Sequence, residues 1–210
     1  MRLLISMIMY TPDNIQNNLK NMKKNVGKVF EDNIKKSCPE WLFVYRPPDA
    51  AQSFNMTSAL RFSQRSPADY FWFNGKKGNL LIVECKTFQG ACSFERTKED
   101  KGIIHYYQIE NLNKFDKYEN VLSGFLLDFR KSDCTYFLSV KDLITLIESI
   151  DKKSFNEQDM LKLCSPILVE KKKLRTNYRY NIEKLLDDIN KENSPYIQEL
   201  KGNRERKIEQ

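Results

Sequence analysis

Asp69-Tyr70-Phe71-Trp72-Phe73, then Asn74-Gly75-Lys76-Lys77-Gly78-Asn79, then Leu80-Leu81-Ile82-Val83-Glu84-Cys85-Lys86, is the stretch that decides the fold. Two apolar runs separated by an Asn-Gly turn signal predict a β-hairpin. Side chains alternate along a strand, so Glu84 and Lys86 share one face about 6.5 Å apart, while Cys85 points to the opposite face, into the core. Hairpin pairing brings Asp69, at the opening of the first strand, beside them. Two acids and a lysine then converge at one end of a sheet.

Working outward, Val29, Phe30 and Ile34 recur at helical spacing within 26–37, and Pro39 ends that helix. Residues 41–45 read as a short strand stopped by Pro47-Pro48. From 47 to 66 the periodicity fails; this insert holds one acid, Asp49, with Arg46, Arg61 and Arg65 in or beside it. Loops of that length inside a compact domain are usually functional or projecting. Beyond the hairpin, 103–117 fits an amphipathic helix, 121–129 and 135–138 read as strands, and 141–150 as another helix. Ile182, Leu185, Leu186 and Ile189 stripe a late helix. The order implies an α/β domain with one mixed sheet over 25–192, between a weakly ordered arm (1–24) and a polar tail (193–210).

The chain has 210 residues, 35 Lys and Arg against 28 Asp and Glu, and a formal charge of +7. That balance favours polyanionic partners, nucleic acid before an anionic membrane surface. Its five cysteines form no C-x-x-C pair, and the single histidine leaves none at zinc-ligand spacing. A disulfide framework and a zinc site are therefore not expected, and a reducing cytoplasm is. The short apolar run 3–9 lacks the features of a signal peptide and the length of a membrane span. No membrane partner is expected.

Hydrolysing a phosphodiester requires an activated water and neutralisation of a charge-rich transition state. Hard carboxylates holding Mg²⁺, with Mn²⁺ as a substitute, supply both, and an adjacent ammonium positions the water. Glu-x-Lys by itself carries little information, since it begins at Glu84, Glu99, Glu170, Glu199 and Glu205. Only the Glu84 copy ends an apolar strand with an acid on the strand before it. The pattern reads as a PD-(D/E)xK site with Asp69, Glu84 and Lys86 at its centre; the alternative is a salt-bridged strand end.

Asn25-Val26-Gly27-Lys28-Val29-Phe30-Glu31, Ser66-Pro67-Ala68-Asp69-Tyr70, Glu84-Cys85-Lys86-Thr87 and His105-Tyr106-Tyr107-Gln108 occur in an order that resembles the RecU-type Holliday junction resolvases. The resemblance spans about residues 25–140. It implies a restriction-endonuclease-like core, a mixed central sheet flanked by helices, with a projecting stalk where this chain has its insert, here several residues shorter. It further implies that Asp69 and Glu84 ligate Mg²⁺ and that Lys86 orients the attacking water. Glu31 would be a further ligand or water-holding carboxylate, and Gln108 would support the site; the alternatives are an exposed helix acid and an exposed helical Gln. In the insert, Phe62 would stack on an unpaired base or pack the insert against the domain, with Arg46, Arg61 and Arg65 on phosphates.

The implied function is a Mg²⁺-dependent, homodimeric endodeoxyribonuclease that nicks four-way junctions in recombination or phage DNA processing. Two alternatives share these residues: a restriction- or repair-type endonuclease on linear duplex, and an inactive DNA-binding scaffold. Lys171-Lys172-Lys173, with Arg175 and Arg179, reads either as a DNA-backbone contact or as a solvated charge run.

Overall fold

Asn25 accepts the Lys28 N–H on its side chain at 3.2 Å and so starts helix α1, Val26–Ser37. Phe30 and Ile34 form its buried stripe. The computed structural model describes residues 25–48 and 66–191. The arm, the tail and most of the insert, with Arg61, Phe62 and Arg65, lie outside the described residues.

After α1 come β1 (Phe43–Tyr45), β2 (Tyr70–Asn74) and β3 (Asn79–Phe88), an antiparallel sheet in chain order. A short β4 (Cys92–Ser93) leads to helix α2 (Tyr106–Phe115), which crosses over to β5 (Val121–Phe129), parallel to β3. Strand β6 (Cys134–Ser139), helix α3 (Val140–Ser149), β7 (Ser154–Phe155), helix α4 (Glu157–Leu163) and β8 (Ile167–Leu168) follow. The chain then makes the hairpin of β9 (Lys171–Lys173) and β10 (Tyr178–Tyr180) and ends its described part in helix α5 (Ile182–Asn190). The main sheet has the order β1-β2-β3-β5-β6-β8. This is the α/β architecture with one mixed central sheet flanked by helices that the sequence predicts.

Alternation along the strands divides the interior into two layers. Ile82, Phe125, Leu127 and Leu138 face α2, α3 and α4, whose Leu112, Leu143, Leu146 and Met160 are buried against them. Val83, Cys85, Leu126 and Phe137 face the other way, toward Phe30 and Ile34 of α1 and the stripe Ile182, Leu185, Leu186 and Ile189 of α5. A central strand buried on both faces reads as a continuous apolar run, which is why residues 80–83 show no alternation in sequence.

Several boundaries move for physical reasons. The expected strand 41–45 begins only at Phe43, because the Leu42 N–H donates to Pro39 O at 3.1 Å in a turn and the Trp41 indole N–H goes to Glu183 at 2.8 Å. The helix expected from 103 starts at Tyr106. Ile103 and Ile104 instead donate their N–H groups to Ser93 O at 2.9 and 3.0 Å, tying that segment to β4. The turn between β2 and β3 is a four-residue loop, residues 75–78, with Gly78 in the left-handed region (φ 68°). Asn74 closes it, accepting from Lys76 on its side chain and from Lys77 and Gly78 on its carbonyl. The basic run 171–173 resolves into one strand with two fates. Lys171 is tucked between Asp128 at 3.3 Å and Asp133 at 2.8 Å and lies over the Tyr178 ring, whereas Lys172 and Lys173 are solvated.

Gly124 of β5 has no room for a side chain. A Cβ there would lie 2.8 Å from the Phe137 ring and closer still to the Leu138 carbonyl oxygen, which backbone pairing holds in place. Gly124→Ala is therefore expected to lower stability by about 1–3 kcal/mol, the overpacking range, seen as a Tm drop of roughly 2–12 °C. An unchanged melting curve would show that β5 and β6 can part without cost.

Candidate active site

The β2–β3 register builds the site. Tyr70 pairs with Val83, so one step further along the same ladder Asp69 stands opposite Glu84. The Asp69 carboxylate is held there by accepting the Cys85 N–H at 2.8 Å. Ser66 Oγ donates to Ala68 O at 2.6 Å, and with Pro67 this fixes the entry into β2. Glu84 is only 5% exposed, on the same face of β3 as Ile82. Facing acids repel, and a buried carboxylate loses its hydration. Burial above all, with the Asp69 and Glu31 charges adding to it, pushes the Glu84 carboxyl up to about 7 against the opposing pull of Lys86.

Lys86 continues the same face two residues on, with its Nζ 3.0 Å from Glu84 Oε1. Burial works against its charge, but the Glu84 carboxylate outweighs that effect, and its pKa is raised above the ordinary lysine value. Lys86 therefore remains an ammonium at neutral pH. Cys85 points into the opposite layer, where burial first, and the neighbouring acids second, keep its thiol neutral.

Helix α2 supplies the next contact. Gln108 is buried in its first turn. Its Oε1 accepts the His105 N–H at 3.0 Å, the reach-back of a capping box, so its amide NH₂ is turned toward Glu84 and donates to Glu84 Oε1. One side chain thus satisfies a helix terminus and orients a site carboxylate.

Helix α1 contributes Glu31, half-buried rather than exposed. Arg46, just past β1, places its guanidinium 2.6 Å from Glu31 Oε2 and over the Tyr70 ring. The Tyr70 hydroxyl donates to Glu31 O at 3.1 Å, anchoring α1 to β2. Burial, and then Asp69, raise the Glu31 carboxyl above its usual range. The structure thus gathers Glu31, Arg46, Asp69, Glu84, Lys86 and Gln108 around one strand end. Arg46, expected on a DNA phosphate, is engaged with Glu31.

Glu95 was not legible as part of this neighbourhood. It follows β4 and accepts from His105 Nδ1 at 2.7 Å and from the Tyr106 N–H at 2.9 Å. Nothing in its sequence surroundings signals this, because the contact depends on the chain folding back at Gly102. Among the described residues, no three His, Cys, Asp or Glu side chains are gathered as a ready-made metal cage. No helix among them is long and apolar enough to cross a membrane.

Fold and site together define a mixed-sheet α/β protein with two facing acids and a lysine on its central hairpin. No family model matches the chain. Its sequence is 32% identical over 178 residues to the SPbeta prophage-derived uncharacterized protein YotM of Bacillus subtilis (strain 168), covering 79% of this chain and 87% of that protein. The chain belongs to the same family as this prophage protein. The solved structure of Archaeoglobus fulgidus Hjc, a Holliday junction resolvase from an archaeal hyperthermophile, is similar at a TM-score of 0.39 and 16% identity, over 66% of this chain and 95% of that one.

Glu84 makes stability depend on pH. Its folded pKa, about 7, lies above its ordinary value of 4.5, so between those values the folded state binds more protons than the unfolded state. The associated stability is fully present below about pH 4.5 and is lost as pH rises through 7; the raised Glu31 carboxyl acts in the same direction. In EDTA, thermal melts from pH 5 to 8 are expected to show wild-type Tm falling relative to Glu84→Gln, as its stability drops by an amount on the order of 2–3 kcal/mol. Parallel curves for the two proteins would rule out a raised Glu84.

Proposed function

We propose that this protein is a Mg²⁺-dependent endodeoxyribonuclease that nicks four-way DNA junctions. The observation that carries the reading is the forced meeting of Asp69 and Glu84 on one buried face, with the Lys86 ammonium 3.0 Å from Glu84. A fold has little reason to oppose two carboxylates there unless a cation or a reaction uses them.

The donor set fits Mg²⁺. This ion prefers carboxylate oxygens, retains several waters and takes one or two protein carboxylates plus substrate phosphate, so two facing acids suffice without a closed cage. Asp69 and Glu84 would hold it, and Glu31 would act on its water shell. When bound, Mg²⁺ supplies the Lewis acidity that activates water and offsets charge on the phosphate.

The chain's own residues do the rest. Gln108 prevents the Glu84 carboxylate from turning away. Lys86, retaining its proton at neutral pH, orients the attacking water and meets the charge that develops on the phosphate. Arg46 counters part of the rise that burial and Asp69 impose on the Glu31 carboxyl and holds that carboxyl by its Oε2. The +7 balance supplies affinity for the DNA backbone, which depends on salt and not on sequence. Junction choice is proposed from the RecU-type motif order and the insert; a homodimer would present two such sites about a two-fold axis, as paired nicks require. The prophage origin of the YotM relative agrees with a role in phage DNA processing.

Labelled four-way junctions and linear duplexes of the same arms, incubated with Mg²⁺, test this directly. Paired symmetric nicks on the junction are expected, abolished by EDTA and reduced by about 10³-fold or more in Asp69→Ala or Glu84→Ala. Equal cutting of linear duplex would assign a restriction- or repair-type role instead. Tight binding with no cutting in Mg²⁺ or Mn²⁺ would leave an inactive scaffold.

A further inference from the structure

Gln108 orients Glu84, and the groups that orient Gln108 lie farther from the strand end. The chain leaves β4 through Phe94, Glu95 and Arg96. Phe94 is buried and stacks on Phe155, with ring centroids 6.1 Å apart. Arg96 donates to Ile147 O at 2.7 Å and to the carbonyl oxygens of Ile150 and Lys152. Glu95 is thus held between two anchored neighbours. The segment then folds back so closely that a Cβ on Gly102 would lie 2.7 Å from the Phe94 carbonyl carbon. The Glu95 N–H donates to Ile104 O at 3.0 Å, completing the return.

The fold-back places the Glu95 carboxylate under the start of α2. Its Oε1 accepts from His105 Nδ1 at 2.7 Å and from the Gly102 N–H at 3.3 Å, and its Oε2 accepts from the Tyr106 N–H at 2.9 Å. Burial works to raise this carboxyl, but the donors from His105, Tyr106 and Gly102 together hold it below the usual range. A helix start carries unpaired N–H groups and a partial positive charge, so an ionised acid there is stabilising. The same His105 that Glu95 grips by its ring presents its backbone N–H to Gln108 Oε1 at 3.0 Å. Gln108 then has only its NH₂ left to offer Glu84.

We propose that Glu95 is a positioning residue for the site, acting through His105 and Gln108 to fix the orientation of the Glu84 carboxylate. The proposal rests on the nuclease reading for its consequence in catalysis, but not for the contact itself. His105 takes part as a structural intermediary: Glu95 fixes its ring, which lies flat against Tyr107 with centroids 5.6 Å apart. Losing Glu95 leaves the apolar layers intact and frees the first turn of α2, so that Gln108 no longer has one preferred amide orientation. Outer partners of this kind are worth about 10- to 100-fold in activity or metal affinity when removed.

The test uses Glu95→Gln, with Glu95→Asp as a second variant that keeps the charge but withdraws it by one methylene. In metal-free protein, the Gln108 side-chain amide is observed by ¹H–¹⁵N NMR and assigned by its disappearance in Gln108→Ala. Both Glu95 variants are expected to move that signal toward the position of solvent-exposed glutamines, while Val83 and Leu126 methyl signals stay in place. An unmoved Gln108 signal in a folded variant would overturn the proposal and leave Glu95 as a helix cap only. Nicking rates provide a second readout. Glu95→Gln is expected to lower kcat about 10- to 100-fold with KM changed less than about threefold, and to add nothing in a Gln108→Ala background. Equal losses in both backgrounds would likewise overturn it. If wild-type protein cuts no DNA at all, the nuclease reading fails, and the amide signal still decides whether Glu95 positions Gln108.

Discussion

Asp69 faces Glu84 because Tyr70 pairs with Val83, and much of the molecule can be understood as what that apposition requires. Period-2 alternation means that a slip of one residue would send Glu84 and Lys86 into the layer occupied by Phe30 and Ile34. The register is therefore secured from several sides. Tyr70 and Trp72 are fully buried in the opposite layer, Asn74 closes the turn, and the Cys85 N–H is occupied by Asp69 itself. An acid that accepts a ladder-side N–H at a strand end both repels its neighbour and pins the strand that carries it.

Much of this was legible in sequence, for a definable reason. Residues 69–86 interact locally, so the hairpin, its register class and the sidedness of Glu84, Lys86 and Cys85 follow from chain order and alternation alone. The stripe of α5 and the buried Phe30 and Ile34 of α1 were equally readable, since helical periodicity is a property of a single segment. What failed to show were contacts that depend on long-range return of the chain. Ile103 and Ile104 fit a helical stripe but are claimed by Ser93. Lys171 sits in a basic run yet is an internal tie between Asp128 and Asp133. Glu95 carries no motif, and its contacts appear only once Gly102 lets the backbone close on Phe94.

The two halves of the site therefore have different origins. Asp69, Glu84 and Lys86 come from one hairpin and need no other element to be brought near each other. Glu31, Arg46 and Gln108 come from α1, the end of β1 and α2, and they set how the carboxylates are aimed. Arg46 illustrates the division. From sequence it is a cation beside a polar insert and suits a phosphate; in the fold its guanidinium has a nearer acid in Glu31, 2.6 Å away, and the Tyr70 ring beneath it. Its charge is directed to the site before any ligand arrives.

The energetics explain why such a site sits where the fold is strongest. A carboxyl that is 5% exposed and opposed by another acid disfavours its own charged form, and natural proteins break local consistency of this kind chiefly at functional positions. The strain is tolerable because β3 is paired on both edges, with β2 and β5, and buried on both faces by separate apolar layers. Lys86 at Glu84 and Arg46 at Glu31 offset part of the repulsion without removing it, since two cations meet the three acids Glu31, Asp69 and Glu84. The excess of acid over base at that strand end is opposite in sign to the chain as a whole. On a chain whose formal charge is +7, this locally acidic strand end is the one place in residues 69–86 where burial and like charge together favour an added cation.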